Sequence, residues 1–156
     1  MPTSLIDLLS KDRIAWRAEA TSRKQAISLL AGLVAQDTGV ETATILQGVM
    51  AREKLGSTGV GDGVAIPHAR IEGLQAPIGA FASLATGVDF EAVDDRPCDL
   101  IFMLLAPLSG GADHLRALAQ VARVFRQAQT RDHLRRSAGP GDVFDTLCAT
   151  PKGAAA

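Results

Sequence analysis

Residues 99–105, DLIFMLL, and residues 78–84, IGAFASL, are the two stretches that decide the fold of this chain. Each is a nearly continuous apolar run of strand length, and such runs are typical of β-strands that are covered on both faces. The segments around them carry apolar residues at helical spacing. Strands therefore alternate with amphipathic helices, which predicts an α/β fold, a single domain with helices on both faces of a central sheet.

Local signals place the ends of the helices. Ser22 and Gln25 have the spacing of a capping box and predict a helix that begins at Ser22, and Gly39 suits its end. A second helix is expected from about Glu41 to Leu55, and a third from about Asp113 to Gln127. The inward face of the third helix is expected to contain Leu115, Leu118, Ala122 and Phe125. Short helices are predicted at residues 4–9, 130–137 and 141–147, and short strands at residues 14–16 and 64–66.

Composition and charge exclude several classes of function. The chain has 156 residues, of which 47% are hydrophobic and 21% charged, as expected for one globular domain. Its net charge of −1 leaves no broad basic surface for nucleic acid and no polybasic patch for a membrane. The first residues do not form a signal peptide, and no apolar run is long enough to span a bilayer. A cytoplasmic protein is therefore expected, with a flexible tail at 151–156.

Metal and common catalytic motifs are missing from the sequence. Cys98 and Cys148 are the only cysteines, and they have no metal-ligand spacing. The sequence contains no HExxH, no P-loop lysine and no GxSxG elbow. The three histidines are therefore the best candidates for chemistry, and no metal site is predicted.

His68 stands out because of the residues before it. It follows Pro67 at the end of a short apolar strand, and residues 56–63, GSTGVGDG, form a glycine-rich loop. Such a loop can turn several backbone N–H groups toward one anion, and Arg52 adds a cation suited to phosphate oxygens. A neutral histidine nitrogen is a nucleophile that can carry a phosphoryl group. The candidate phosphate-binding residues are Ser57, Thr58, Gly59, Gly61 and Gly63.

Each of these features also has an ordinary structural interpretation. A histidine after a proline is commonly a plain loop residue, a glycine-rich loop is commonly a turn, and an arginine at a helix end complements the helix dipole. His114 falls in the first turn of the third helix, where it would either donate to an incoming phosphoryl group or be a simple helix-start residue. His133 lies among charged residues and is assigned no role.

The order of these residues resembles a known family. Residues 52–68, REKLGSTGVGDGVAIPH, followed by residues 94–102, DDRPCDLIF, and residues 113–118, DHLRAL, are similar to the fructose/mannitol class of enzyme IIA of the bacterial phosphoenolpyruvate phosphotransferase system. The similarity is greatest to its nitrogen regulatory branch. It covers residues 1–150, which are identified as an enzyme IIA type-2 domain.

This resemblance implies a fold, a site and partners. The fold would be a three-layer α/β/α domain around a mixed sheet. His68 would accept a phosphoryl group from an HPr-like phosphocarrier protein, His114 would orient that group, and Arg52 would be the active-site arginine. No metal and no organic cofactor would be needed. No nucleic acid would be bound, and no segment would insert into a membrane.

Three outputs remain open at the level of sequence. The first is a regulatory protein related to nitrogen or potassium, with target proteins such as potassium transporters or sensor kinases. The second is the enzyme IIA component of a fructose/mannitol-type sugar permease, which passes its phosphate to a IIB unit. The third is a binding module without phosphotransfer.

Overall fold

The computed structural model describes residues 5–148 and contains the predicted alternation of strands and helices. The strands are β1 (Ile14–Ala18), β2 (Gly59–Gly61), β3 (Val64–Ala65), β4 (His68–Arg70), β5 (Ile78–Val88) and β6 (Cys98–Ala106). The helices are α1 (Leu5–Leu8), α2 (Arg23–Thr38), α3 (Thr42–Leu55), α4 (Gly111–Arg126), α5 (Ala128–Arg135) and α6 (Pro140–Leu147), with one 3-10 turn at Lys11–Arg13. Over this described part, no helix combines the length and apolar character needed to cross a membrane. The tail predicted at 151–156 lies outside the described residues.

The six strands form one mixed sheet. Their order is β1-β5-β6-β3-β2, and β4 also pairs with β6. The long strands β5 and β6 are antiparallel, whereas β1 is parallel to β5, and β3 and β4 are both parallel to β6. Along β6, Val64 lies opposite Leu100 and His68 lies opposite Leu104. The central strand β6 therefore supports the segment that carries His68.

The sheet separates two apolar cores. One core lies between the sheet and helices α2 and α3, and the other lies between the sheet and helices α1, α4, α5 and α6. Alternate residues of β6 enter different cores, since Ile101 and Met103 lie in the first and Leu100 and Phe102 in the second. Because both faces of β6 are covered, the apolar run of residues 99–105 has its physical explanation, and the three-layer prediction is confirmed.

Helix α2 has the predicted start and end. The Gln25 backbone N–H donates to Ser22 Oγ at 3.1 Å, and Gly39 adopts the left-handed conformation with φ of 77°. The other half of the capping box differs from the prediction. The side-chain oxygen of Gln25 accepts from the backbone N–H of Thr21 at 2.8 Å.

The inward face of α4 is not the predicted one. Leu115 is 63% exposed, and the buried residues of this helix are His114, Ala117, Val121 and Phe125. Leu118 and Ala122 are only partly buried against the same core. The buried series follows the helical period, but its phase is set by the way the helix rests on the sheet. The prediction for Leu115 was wrong for this reason.

The second half of the predicted glycine-rich loop is a β-hairpin. Strands β2 and β3 pair in antiparallel fashion around the two residues Asp62 and Gly63, whose φ angles are 59° and 80°. Two central residues with positive φ are the requirement of a tight type I′ turn, and Asp-Gly is a favoured sequence for it. The dipeptide was therefore a hairpin signal that the loop interpretation overlooked.

Candidate active site

The structure brings His68 and His114 together although 46 positions separate them. Their ring centroids are 5.8 Å apart, and the ring planes are tilted by 51°. His68 is half-buried at the start of β4, whereas His114 is buried in the first turn of α4. Arg70 Nη2 also donates to the Gly111 carbonyl at 3.3 Å, which ties β4 to the start of α4. The predicted pair of histidines is thus held by two adjoining elements.

One hydrogen bond defines the tautomer of His68. Its Nδ1 lies 2.8 Å from the Ile66 carbonyl oxygen. A carbonyl oxygen can only accept, so Nδ1 carries the proton when the ring is neutral. Nε2 then keeps its lone pair. The nitrogen that is free to act as a nucleophile is therefore Nε2.

Electrostatics favour the neutral form of both rings. Burial lowers the pKa of His68, and the positive charge of Arg52 acts in the same direction, although the Ile66 hydrogen bond and the charge of Glu53 oppose them. Burial also lowers the pKa of His114, assisted by the proximity of His68 and Arg70. Neutral imidazole is the form with a free lone pair. Near neutral pH, the neutral form of both rings is therefore favoured.

Arg52 lies in the last turn of α3, at the edge of this site. Its Nη1 donates to the Gly56 carbonyl at 2.9 Å, and its charge is close enough to lower the pKa of His68. This bond uses one of the five N–H donors of a guanidinium group. Arg52 therefore retains further N–H donors, and its role as a phosphoryl ligand stays a prediction.

Ser57, Thr58 and Gly59 have other partners than a bound anion. Ser57 Oγ donates to the Phe90 carbonyl and accepts from the Gly59 backbone N–H at 3.0 Å. Thr58 Oγ1 donates to Glu53, and so does the Thr58 backbone N–H, at 3.1 Å. The donors that were expected to form an anion nest are thus engaged within the protein. The hydroxyl groups of Ser57 and Thr58 hold the turn after α3 in place.

Gly61 and Gly63 lie away from His68. The Gly63 carbonyl accepts from the Leu100 backbone N–H at 3.0 Å, whereas His68 pairs with Leu104. Four residues of strand separate these two positions, which is roughly 13 Å at about 3.3 Å per residue. The hairpin tip is also next to the carboxylates of Asp94 and Asp99. The structure thus places Gly61 and Gly63 apart from His68 along β6, and a phosphate site that they share with His68 stays a prediction.

Two groups near His68 were not predicted to take part in the site. The first is the Ile66 carbonyl, which no side-chain pattern could reveal because it belongs to the backbone. The second is Glu53, which is 4% exposed although a glutamate in the last turn of a helix normally faces solvent. Only its position next to Arg52 in the sequence could have indicated that Glu53 lies near the site.

The remaining nucleophilic and ligating groups point to no second chemistry. Cys98 and Cys148 are free, and burial raises the pKa of their thiols to about 12 and about 11, so both are protonated near neutral pH. Between residues 5 and 148, no three His, Cys, Asp or Glu side chains are grouped so that they would hold a metal ion. The histidine pair is therefore the candidate site.

The chain is similar to known proteins along almost its whole length. Residues 7–149 match the model of the family described as "Phosphoenolpyruvate-dependent sugar phosphotransferase system, EIIA 2". The chain is 40% identical to a nitrogen regulatory protein of Bradyrhizobium diazoefficiens over 97% of its own length and 99% of the relative's. It is 33% identical to a fructose-specific EIIA component of Haloferax volcanii, over 93% and 95% of the two chains.

A solved structure has the same architecture. The crystal structure of the nitrogen regulatory protein IIA-Ntr from Neisseria meningitidis superposes with a TM-score of 0.87 at 36% identity, covering 92% of this chain and 99% of that one. The family match and these relatives span almost the whole chain. The chain therefore belongs to the EIIA 2 family of the phosphoenolpyruvate-dependent sugar phosphotransferase system.

Proposed function

We propose that this protein is a phosphocarrier that accepts a phosphoryl group on Nε2 of His68 from the phosphohistidine of an HPr-like carrier. The observation that carries the proposal is the hydrogen bond from His68 Nδ1 to the Ile66 carbonyl, which leaves Nε2 free. Family membership supports a phosphotransferase component, and the geometry supports a covalent histidine intermediate.

The chemical step is an in-line displacement. The lone pair of His68 Nε2 forms the new P–N bond while the P–N bond of the donor histidine breaks, and the donor ring takes that electron pair. The transition state is loose, so positioning and charge stabilisation dominate. The Nδ1–H bond to Ile66 disperses the positive charge that develops on the His68 ring. Arg52 supplies a fixed positive charge for the phosphoryl oxygens.

His114 acts as a hydrogen-bond donor in this scheme. Its Nδ1 is buried and has no hydrogen-bond partner among the described residues. Leaving a buried N–H without an acceptor is costly, so the neutral ring favours the tautomer with its proton on Nε2. That Nε2–H group is the one available to a phosphoryl oxygen. His114 therefore orients the group that His68 carries.

The proposed output is regulatory. The relatives from Bradyrhizobium diazoefficiens and Neisseria meningitidis carry nitrogen regulatory names and match nearly the entire chain. We propose that the phosphorylation state of His68 is the signal, read by target proteins that include potassium transporters or sensor kinases. The supporting test is a pull-down with phosphorylated and unphosphorylated protein, in which a target binds only one of the two forms.

Phosphoryl acceptance is tested by reconstitution. The protein is incubated with phosphoenolpyruvate, enzyme I and an HPr-like carrier, and phosphohistidine is mapped by mass spectrometry. Wild type and His133→Ala are expected to be labelled, because the His133 ring is exposed and lies 3.3 Å from Asp142, outside the pair formed by His68 and His114. His68→Ala is expected to lose the label. Label that persists in His68→Ala would contradict the proposal.

A second candidate is the enzyme IIA component of a sugar permease. The fructose-specific EIIA component of Haloferax volcanii is a relative of nearly the same length, which favours this alternative. Transfer of label from His68 to a IIB protein would support it. A folded wild-type protein that takes no label from the carrier would instead support a binding module without phosphotransfer.

A further inference from the structure

Glu53 is a buried carboxylate with an unusual set of partners. Its side chain is 1% exposed at the end of α3. Burial of a carboxylate is costly unless it accepts hydrogen bonds or pairs with a cation. Here Oε2 accepts from the Thr58 backbone N–H at 3.1 Å, Oε1 accepts from Thr58 Oγ1, and Arg23 Nη1 lies 3.7 Å from Oε2. Most of the bonding of Glu53 is therefore directed at a single residue, Thr58.

The contacts continue from Thr58 to His68. The Thr58 carbonyl accepts from the Ile66 backbone N–H at 3.0 Å. The Ile66 carbonyl in turn accepts from His68 Nδ1 at 2.8 Å. A continuous series of hydrogen bonds thus links the Glu53 carboxylate to the ring that carries the nucleophilic nitrogen.

A second contact fixes the same turn from the other side. Ser57 Oγ donates to the Phe90 carbonyl in the segment after β5. With Thr58 held by Glu53 and Ser57 held by Phe90, the turn cannot shift without breaking a buried polar contact. The Ile66 peptide, which pairs with Thr58, is therefore held in one orientation.

We propose that Glu53 is a positioning residue that, through Thr58 and Ile66, holds His68 in the Nδ1–H tautomer with Nε2 free. This inference rests on the proposed function, because only phosphoryl acceptance requires a free Nε2. In this arrangement, the Thr58 hydroxyl helps to position His68 indirectly, because it anchors Thr58 to Glu53. Separately from this positioning, the negative charge of Glu53 raises the pKa of His68 and so counteracts part of the lowering by burial and Arg52.

The test is Glu53→Gln, which preserves the shape of the side chain. The amide NH₂ would face a donor of Thr58, so the support of Ile66 weakens. In ¹⁵N NMR of the imidazole rings, we expect the His68 signals to move from the Nδ1–H tautomer toward a mixture of both. We also expect the His68 titration midpoint to fall, because a negative charge is lost. The rate of labelling by the carrier is expected to drop by about tenfold to 100-fold.

Glu91→Gln is the matched control. Glu91 pairs with the same Arg23 at 2.9 Å, but its side chain is 70% exposed and lies outside the contacts that lead to His68. In the Glu91→Gln protein, the His68 ring signals are expected to match those of the wild type. A folded Glu53→Gln protein with unchanged His68 ring signals would overturn the positioning role and leave Glu53 as a purely structural residue.

Thr58 gives an independent test if Glu53→Gln does not fold. Thr58→Val removes the hydroxyl and is expected to shift the His68 tautomer signals, and Thr58→Ser is expected to restore them. A Thr58→Val spectrum identical to that of the wild type would overturn the inference. The proposed function fails in a different way: wild-type protein with the Nδ1–H tautomer that takes no phosphoryl group would refute phosphoryl acceptance and leave the tautomer assignment intact.

Discussion

Substitution of Gly63 by alanine tests whether the tip of the β2-β3 hairpin stabilises the fold and whether it takes part in phosphoryl acceptance. Gly63 has φ of 80°, and a Cβ atom there would sit 2.4 Å from Arg135 Nη2 and 2.8 Å from Asp99 Oδ1. Arg135 binds Asp99 through Nε at 3.0 Å and Nη2 at 2.9 Å, and Nη2 also donates to the Asp62 carbonyl at 2.7 Å. The methyl group would therefore force this pair apart.

Two terms set the expected loss in the free energy of unfolding. The left-handed backbone conformation costs an alanine about 1–2 kcal/mol. Arg135 and Asp99 are each 30% exposed, so solvent screening limits the loss of their pairing to about 1 kcal/mol. The expected total is about 2–3 kcal/mol, which corresponds to a decrease in Tm of roughly 4–12 °C for a chain of this size.

The assay combines urea unfolding with labelling of His68 by the carrier. Gly141→Ala is the control, since Gly141 lies in the first turn of α6 and a Cβ there would meet no atom within 4 Å. Gly63→Ala is expected to lose stability but to accept phosphate at a rate within about twofold of the wild type, because the tip lies roughly 13 Å from His68 along β6. An unchanged unfolding midpoint would refute the packing argument. Lost labelling at unchanged stability would restore the glycines as a phosphate site.

Two further predictions concern pH and the core. Burial lowers the pKa of His68 and His114 in the folded protein, whereas a histidine in the unfolded chain has a pKa of about 6.5. Below that pH, the unfolded chain therefore binds more protons than the folded protein. The free energy of unfolding is therefore expected to fall as the pH drops below about 6.5, and to fall less in His114→Gln; equal declines of the two proteins in urea unfolding would contradict this. Phe125→Ala is expected to lose about 3–5 kcal/mol, since Phe125 stacks on Phe81 at 5.8 Å, whereas Leu115→Ala should change stability by less than about 0.5 kcal/mol. A large loss in Leu115→Ala, measured by thermal unfolding, would contradict its exposed position.

Features that depend on neighbouring residues could be predicted from the sequence. The cap at Ser22 and the stop at Gly39 act within one turn of helix, so their signals lie in the local sequence. The apolar runs predicted buried strands because burial on both faces leaves no position for polar residues. His68 was found through the ordered residues 52–68, which combine a strand end, a proline and an arginine. These features can be predicted from the sequence because the residues that interact lie close together in the chain.

The tertiary structure decided everything that depends on residues meeting across the sheet. Helix α4 packs on β5 and β6, and this packing decides which side of the helix faces the core. It buries His114 and leaves Leu115 exposed. The Asp62-Gly63 tip is held by Arg135, more than 70 positions later, because the register of β3 on β6 puts it there. The free Nε2 of His68 depends on a backbone carbonyl. No pattern of side chains encodes that contact, since its partner is present in every residue and only the fold selects which one faces the ring.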